Sequence, residues 1–131
     1  MLFDFQLSTT EEGLTDITGE VEAAVKESGI NEGICVVFCP HTTAAITINE
    51  NADPDIKDKF ITGMDLAFPD MPEIEHSGDN FDAHLKSSSV GASNTLIIKG
   101  GRLLLGRWQG IYFCEFDGPR TRQFYVKIIR G

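Results

Sequence analysis

The sequence has few positive charges and no long apolar segment, and both absences limit what the protein can bind. Its 131 residues include 11 Lys and Arg against 20 Asp and Glu, which gives a formal net charge of −9. Because binding to nucleic-acid backbones or anionic membranes depends on clustered Lys and Arg, we expect neither partner. No apolar stretch approaches the ~20 residues that span a bilayer, and the amino terminus has no basic region followed by an apolar run. The sequence therefore predicts a cytoplasmic protein without a signal peptide.

Cysteine is also scarce. The three cysteines, Cys35, Cys39 and Cys114, are an odd number and form no CxxC pair. This suits a reducing compartment, where thiols serve as small core residues. The remaining composition, 41% hydrophobic and 24% charged, is ordinary for a globular protein and argues against disorder. The length predicts a single domain over residues 1–131.

Hydrophobic periodicity predicts an α+β fold, mainly an antiparallel β-sandwich with two or three helices. Apolar stripes predict one helix over 17–28, capped by Asp16, a second after Asp53 and Pro54, and a short third over 81–88. Alternating or continuous apolar runs predict strands at 3–7, 33–39, 44–49, 95–99, 102–105, 108–116 and 122–129.

Three of these runs are apolar enough to be buried on both faces. The run 33–39 predicts a strand covered on each side, and 103–105 and 112–114 have the same character. Because that is much apolar sheet for so short a chain, we expect a homo-oligomer in which a second copy covers part of it.

The only histidines, His41, His76 and His84, each stand beside polar or turn residues. Three neutral imidazoles would leave one open position on a tetrahedral metal, which is the pattern of catalytic zinc. No local spacing such as HExxH supports a shared site, so separate surface or core histidines are the alternative. Glu50 follows an alternating strand without a structural explanation and is the candidate general base, whereas Asp53 is explained as a helix cap.

Anion and ring contacts have candidates in the second half of the chain. All five arginines lie in the last thirty residues, and Arg suits bidentate contact with phosphate; a solvated strand face is the alternative. Ser87 and Ser88, before Gly91, can donate hydrogen bonds to a phosphate or form a solvated loop. Trp108 and Gln109, flanked by glycines, can offer a stacking face and an amide, or mark a core Trp at a bulge.

Taken together, these segments resemble the YjbQ family. The resemblance covers the chain from about residue 33 to its end, and it rests on ordered motifs at 40–45, 49–54, His76, 83–88 with Gly91, 101–102, 105–106, 108–110, 117–120 and Arg122. It implies a compact α+β sandwich that assembles as a homotrimer, with the three histidines forming a metal site.

The resemblance also implies an activity, that of a secondary thiamine-phosphate synthase. Such an enzyme joins a pyrimidine-methyl diphosphate to a thiazole phosphate and releases pyrophosphate. His41, His76 and His84 would hold a divalent metal, zinc or, for a diphosphate, magnesium, with His41 and His84 also catalytic. Glu50 would be the general base. Substrate contacts would come from Ser87, Ser88, Trp108, Gln109, Arg120 and Arg122. A metal-dependent hydrolase and a non-catalytic oligomeric binder of a phosphorylated metabolite are the alternatives.

Overall fold

Two antiparallel sheets and three helices make up the part of the chain that the structure describes. A computed structural model of the chain describes residues 1–71 and 80–131. Within these residues the helices are α1 (Thr18–Ser28), α2 (Ile56–Ala67) and α3 (Phe81–Val90). The strands are β1 (Leu2–Ser8), β2 (Gly13–Asp16), β3 (Glu32–Phe38), β4 (Ala44–Glu50), β5 (Ser93–Lys99), β6 (Arg102–Leu103), β7 (Gln109–Glu115) and β8 (Thr121–Arg130). The predicted α+β fold is confirmed.

The strands form a large sheet in the order β1-β8-β3-β5-β6 and a small sheet in the order β2-β7-β4. The main core includes inward-facing residues of both sheets, such as Val37, Phe113 and Phe124, together with the apolar side of α1. A second group of buried residues, here called the outer cluster, is packed against side chains of α2 and α3; it consists of Leu14, Ala45, Ala83, Tyr112, Cys114 and Phe116. The small sheet therefore contributes residues to two cores.

Residues predicted to begin or end the helices lie at the observed helix ends. The Asp16 carboxylate accepts a hydrogen bond from the backbone N–H of Thr18 at 2.9 Å, where α1 begins. Gly29 ends α1 in the left-handed conformation, with φ of 68°, which glycine adopts without strain. The Asp53 carboxylate accepts from the Asp55 N–H at 2.9 Å, directly before α2.

Two burial predictions are wrong. In β3, Gly33, Cys35 and Val37 are buried but Ile34 is 39% and Phe38 44% exposed, so this strand is covered on one face only. Leu104 is also exposed. The physical reason is that α2 and α3 pack on the small sheet, so no helix among the described residues covers the outer face of the large sheet. The homo-oligomer that would cover it stays a prediction.

The prediction for 112–114 is confirmed, because β7 is the middle strand of the small sheet and every residue from 110 to 116 is buried. The sequence missed β2, a four-residue strand beside β7. All three cysteines are buried and unpaired. No helix in the described residues is long and apolar enough to cross a membrane.

Candidate functional site

The predicted site residues fall into two groups at opposite ends of β4. His41 lies just before Ala44, the first residue of β4, and Glu50 is the last. Six residue steps at about 3.3 Å separate the two ends of the strand by roughly 20 Å. We call them the Ala44 end and the Glu50 end. One chain therefore does not bring Glu50 together with His41.

A buried ion pair lies at the Ala44 end. The Arg122 guanidinium donates from Nε to Glu115 Oε1 at 2.7 Å and from Nη2 to Oε2 at 2.5 Å. Nη2 also donates to Thr43 Oγ1 at 2.8 Å. Burial raises the pKa of Glu115, but hydrogen bonds from Arg122 and Thr9 outweigh it and hold that pKa below its ordinary value. Arg122 is therefore matched by a carboxylate inside the protein.

Arg120, which is half exposed, has a carboxylate partner as well. Its Nη2 donates to Asp117 Oδ2 at 2.7 Å, and Asn80 Nδ2 donates to the same oxygen at 2.8 Å. These bonds outweigh burial and lower the pKa of Asp117. The bend that joins β7 to β8 requires Gly118, because a Cβ there would collide with the Thr10 carbonyl oxygen. The two arginines at this end are balanced by two carboxylates.

His41 is half-buried and already hydrogen-bonded. Its Nε2 accepts the backbone N–H of Gln123 at 3.0 Å, so in the neutral ring the proton lies on Nδ1. Burial and then the charge of Arg122 lower the pKa of His41, which favours the neutral imidazole. His41 can bind a metal through Nε2 only if its hydrogen bond with the Gln123 N–H breaks.

Helix α3 brings His84 to the same end. Ser87, one turn after His84, is buried and donates its hydroxyl to the Ala44 carbonyl oxygen at 2.6 Å. Residues three apart share a helix face, so His84 lies on the side of α3 that meets the start of β4. Ser87 thus fixes α3 to β4, while Ser88 is exposed.

His76 lies outside the described residues, so the predicted three-histidine group is incomplete here. Among residues 1–71 and 80–131, no group of three His, Cys, Asp or Glu side chains is arranged to hold a metal ion. The metal site stays a prediction.

The Glu50 end joins β4 to the turn before β7. Glu50 is exposed and lies opposite Gln109 in the ladder. Beyond it, the Asn51 backbone N–H donates to the Trp108 carbonyl oxygen at 2.8 Å, and Asn51 Nδ2 donates to that of Gln109 at 3.2 Å. These bonds fix the turn firmly to the end of β4.

Trp108 projects from this turn and is 53% exposed, so it is not a core residue. The Arg107 guanidinium lies 4.8 Å from the centre of its ring, which shows that the ring accepts a planar cation on one face. Gln109 Oε1 accepts the Gly106 N–H at 2.7 Å and so helps to hold the turn. The arrangement can present an indole to a planar group.

Sequence reasoning missed a buried lysine on α3. Lys86 is 1% exposed, and its ammonium contacts carboxylates of Asp65 at 2.5 Å, Asp82 at 3.1 Å and Glu12 at 3.2 Å. Hydrogen bonds to these partners outweigh burial and raise the pKa of Lys86. The signal was the Asp82–Lys86 spacing, a helical i,i+4 pair, together with the position of Lys86 three residues after the buried Ala83.

The proton balance of this Lys86 cluster is unusual. Burial, followed by a hydrogen bond with Asp65, raises the pKa of Glu12 to about 7. Burial also acts to raise the pKa of Asp65, but hydrogen bonds with Lys86 and Glu12 hold it below its ordinary value. Near neutral pH, Glu12 therefore carries a proton part of the time and can donate it to Asp65.

Comparison with known proteins gives one consistent result. Residues 3–131 match the family model described as UPF0047 protein YjbQ-like. The chain is 53% identical over 131 residues to the UPF0047 protein YugU of Bacillus subtilis, covering 98% of this chain and 99% of that protein. It is 54% identical over 130 residues to a UPF0047 protein of Methanocaldococcus jannaschii, covering 98% and 94%.

Solved structures agree with this result. An uncharacterised protein of the YjbQ/UPF0047 family from Clostridium acetobutylicum superposes with a TM-score of 0.92 at 51% identity, over 97% of this chain and 99% of that one. A hypothetical protein from Aeropyrum pernix gives 0.93 at 33% identity, over 100% and 99%. The chain therefore belongs to the YjbQ-like UPF0047 family.

Proposed function

We propose that this chain is a cytoplasmic, metal-dependent transferase that acts on a small phosphorylated heterocycle. Its reaction would resemble that of a thiamine-phosphate synthase: a carbon–nitrogen bond forms to the thiazole phosphate as the carbon–oxygen bond to diphosphate breaks, and pyrophosphate leaves. The observation that carries the proposal is the meeting of imidazole and guanidinium groups at the Ala44 end. Both Arg120 and Arg122 lie near enough to His41 to lower its pKa.

The histidine side chains are suitable ligands for a divalent metal, since neutral imidazoles are common zinc ligands. His41 and His84 would hold the ion together with His76, and magnesium would suit a diphosphate. When bound, the metal would neutralise charge on the leaving diphosphate. His41 would bind through Nε2 after releasing the Gln123 N–H.

The phosphate contacts divide by exposure. Arg120 and Ser88 are exposed and can turn towards a phosphate. Arg122 and Ser87 are buried and hydrogen-bonded within the protein, so their part in the proposal is to hold β8 and α3 in place around the site.

Glu50, Trp108 and Gln109 lie about 20 Å along β4 from this site. They can serve the reaction only if another copy of the chain presents them. A homotrimer would do so when the Glu50 end of one copy meets the Ala44 end of the next, because a head-to-tail contact of this kind closes into a ring.

The proposal is tested with purified protein, the two substrates and elemental analysis. We expect pyrophosphate and thiamine phosphate in equal amounts, about one metal ion per chain, and loss of metal and activity in His84→Ala. Ser89→Ala, an exposed position on the same helix, is the matched control and should keep both. Complementation of a thiamine auxotroph by the wild type but not by Glu50→Gln would support the proposed function. Unchanged metal content in His84→Ala, or no pyrophosphate from the wild type, would contradict the proposal.

One observation favours a second candidate, a metal-dependent hydrolase. Because Glu115 and Asp117 form ion pairs with the two arginines, a diphosphate at the Ala44 end would depend on the metal for charge neutralisation, and a substrate with a single phosphate would depend on it less. Release of alcohol or phosphate from simple esters without condensation would favour it. A ligand that raises the melting temperature without being converted would instead indicate a non-catalytic binder.

A further inference from the structure

The Lys86 cluster joins three separate parts of the chain through one buried ammonium. Glu12 belongs to the connection between β1 and β2, Asp65 to α2, and Asp82 to α3. Lys86 has three N–H donors, and each has a carboxylate partner. We propose that α2 is a cover over the outer cluster and that a proton on Glu12 controls how firmly this cover is docked.

Helix α2 is weakly anchored by packing. None of its residues is fully buried, and Phe60, Ile61 and Met64 are partly buried where they cover the outer cluster. Its last turn contains no basic residue, although Asp65 places a negative charge at the negative end of the helix dipole. The Lys86 ammonium compensates the charge of Asp65 and the negative end of the helix dipole, so the docking of α2 depends strongly on the Lys86 cluster.

The charges around Glu12 are mostly negative. In the described residues, the titratable side chains that contact Glu12 or line the grooves beside it come from α2, from the segment after α2 and from α3, and they are Lys57, Asp58, Asp65, Asp70, Asp82 and Lys86. Within the contacting group, one ammonium faces three carboxylates. A proton on Glu12 leaves a net charge of −1 there, and its loss gives −2 and removes the hydrogen bond to Asp65.

The direction of the pH effect follows from linkage. While α2 is docked, burial holds the pKa of Glu12 at about 7, against an ordinary value of 4.5. An undocked α2 exposes Glu12 to water and removes Asp65, while Lys86 on α3 stays beside it, so the pKa of Glu12 falls to its ordinary value or below. Between these values the docked form keeps the proton and the undocked form loses it, so docking weakens by about tenfold per pH unit. Above pH 7 the dependence levels off.

Cys114 gives a natural reporter, because it belongs to the outer cluster, whereas Cys35 lies in the main core. The experiment labels the native chain with dithiodipyridine from pH 5 to 8 and divides each rate by that of the unfolded chain at the same pH. We expect Cys114 to react faster than Cys35. The normalised rate of Cys114 should rise by about tenfold per pH unit up to pH 7 and then stay level, while it remains above that of Cys35.

Variants distinguish the effect of the Glu12 proton on the docking of α2 from a general loss of protein stability. Glu12→Gln keeps the shape of the protonated side chain and should give a low normalised Cys114 rate that stays level with pH. Glu11→Gln, at the exposed neighbouring position, should keep the wild-type profile. Equal normalised Cys114 rates for Glu12→Gln and the wild type would overturn the proposal. If Cys114 and Cys35 react equally slowly, deuterium exchange of α2 relative to α1, corrected for pH, decides: α2 exchange that Glu12→Gln leaves unchanged also overturns it.

Discussion

At the scale of single residues, the Arg122–Glu115 pair should contribute strongly to stability. Removing the guanidinium leaves a buried carboxylate whose remaining partners, among the described residues, are the Thr9 hydroxyl and the Asp117 N–H. We expect Arg122→Met to lower the free energy of unfolding by about 3–5 kcal/mol, the usual cost of an uncompensated buried charge. Urea unfolding followed by circular dichroism measures it.

Arg120→Met is the matched control for this prediction. Its ion pair with Asp117 is half exposed, and such pairs contribute about 0–1 kcal/mol. Similar losses in the two variants would show that the buried pair has no special role in stability.

The same pair predicts a response to acid. Hydrogen bonds hold the pKa of Glu115 below its ordinary 4.5 despite burial, so its ionised form adds stability above that value. This stability is lost as the pH falls below 4.5 through the pKa of the folded state. We expect the unfolding free energy of the wild type to fall more steeply than that of Arg122→Met between pH 4.5 and 3. Parallel slopes would contradict this, and the comparison stays below pH 4.5 because Glu12 titrates with the opposite sign above it.

At the scale of elements, one hydroxyl joins α3 to β4. Ser87→Ala removes the hydroxyl that donates a hydrogen bond to the Ala44 carbonyl oxygen. An unsatisfied buried acceptor lowers the free energy of unfolding by about 1–3 kcal/mol. We expect a lower melting temperature for Ser87→Ala and almost none of this effect for the exposed Ser88→Ala. Equal melting temperatures would mean that water replaces the lost donor.

The elements themselves could be predicted because their signals are local. Apolar stripes, the carboxylates of Asp16 and Asp53 and the left-handed Gly29 fix where helices begin and end. The strand β2 is too short to show a period. The Asp82–Lys86 spacing indicates an ion pair on α3, but the sequence does not reveal the other two partners of Lys86, Glu12 and Asp65, because they lie far from it along the chain.

Strand partners explain what the sequence could and could not predict about the site. The motif around Trp108 and Gln109 was expected to join the histidines, but β7 pairs with β4 so that Gln109 lies opposite Glu50. That register depends on contacts distant along the chain, which a pattern of residues does not contain. Arg120 and Arg122 lie near enough to His41 to lower its pKa, but their carboxylate partners, Glu115 and Asp117, could not be identified from the sequence.

At the scale of the whole molecule, the separation of the two ends of β4 makes the proposed homotrimer testable through function. Glu50→Gln alters the Glu50 end and His84→Ala the Ala44 end, so each variant alone should be inactive. When the two are unfolded together in equal amounts and refolded, some sites receive His84 from one variant and Glu50 from the other. Random assembly into a ring makes about one quarter of the sites intact. We therefore expect about a quarter of the wild-type rate of pyrophosphate release from the mixture, measured against each variant refolded alone. A mixture as inactive as its components would show that Glu50 of one copy and His84 of another do not form a shared site.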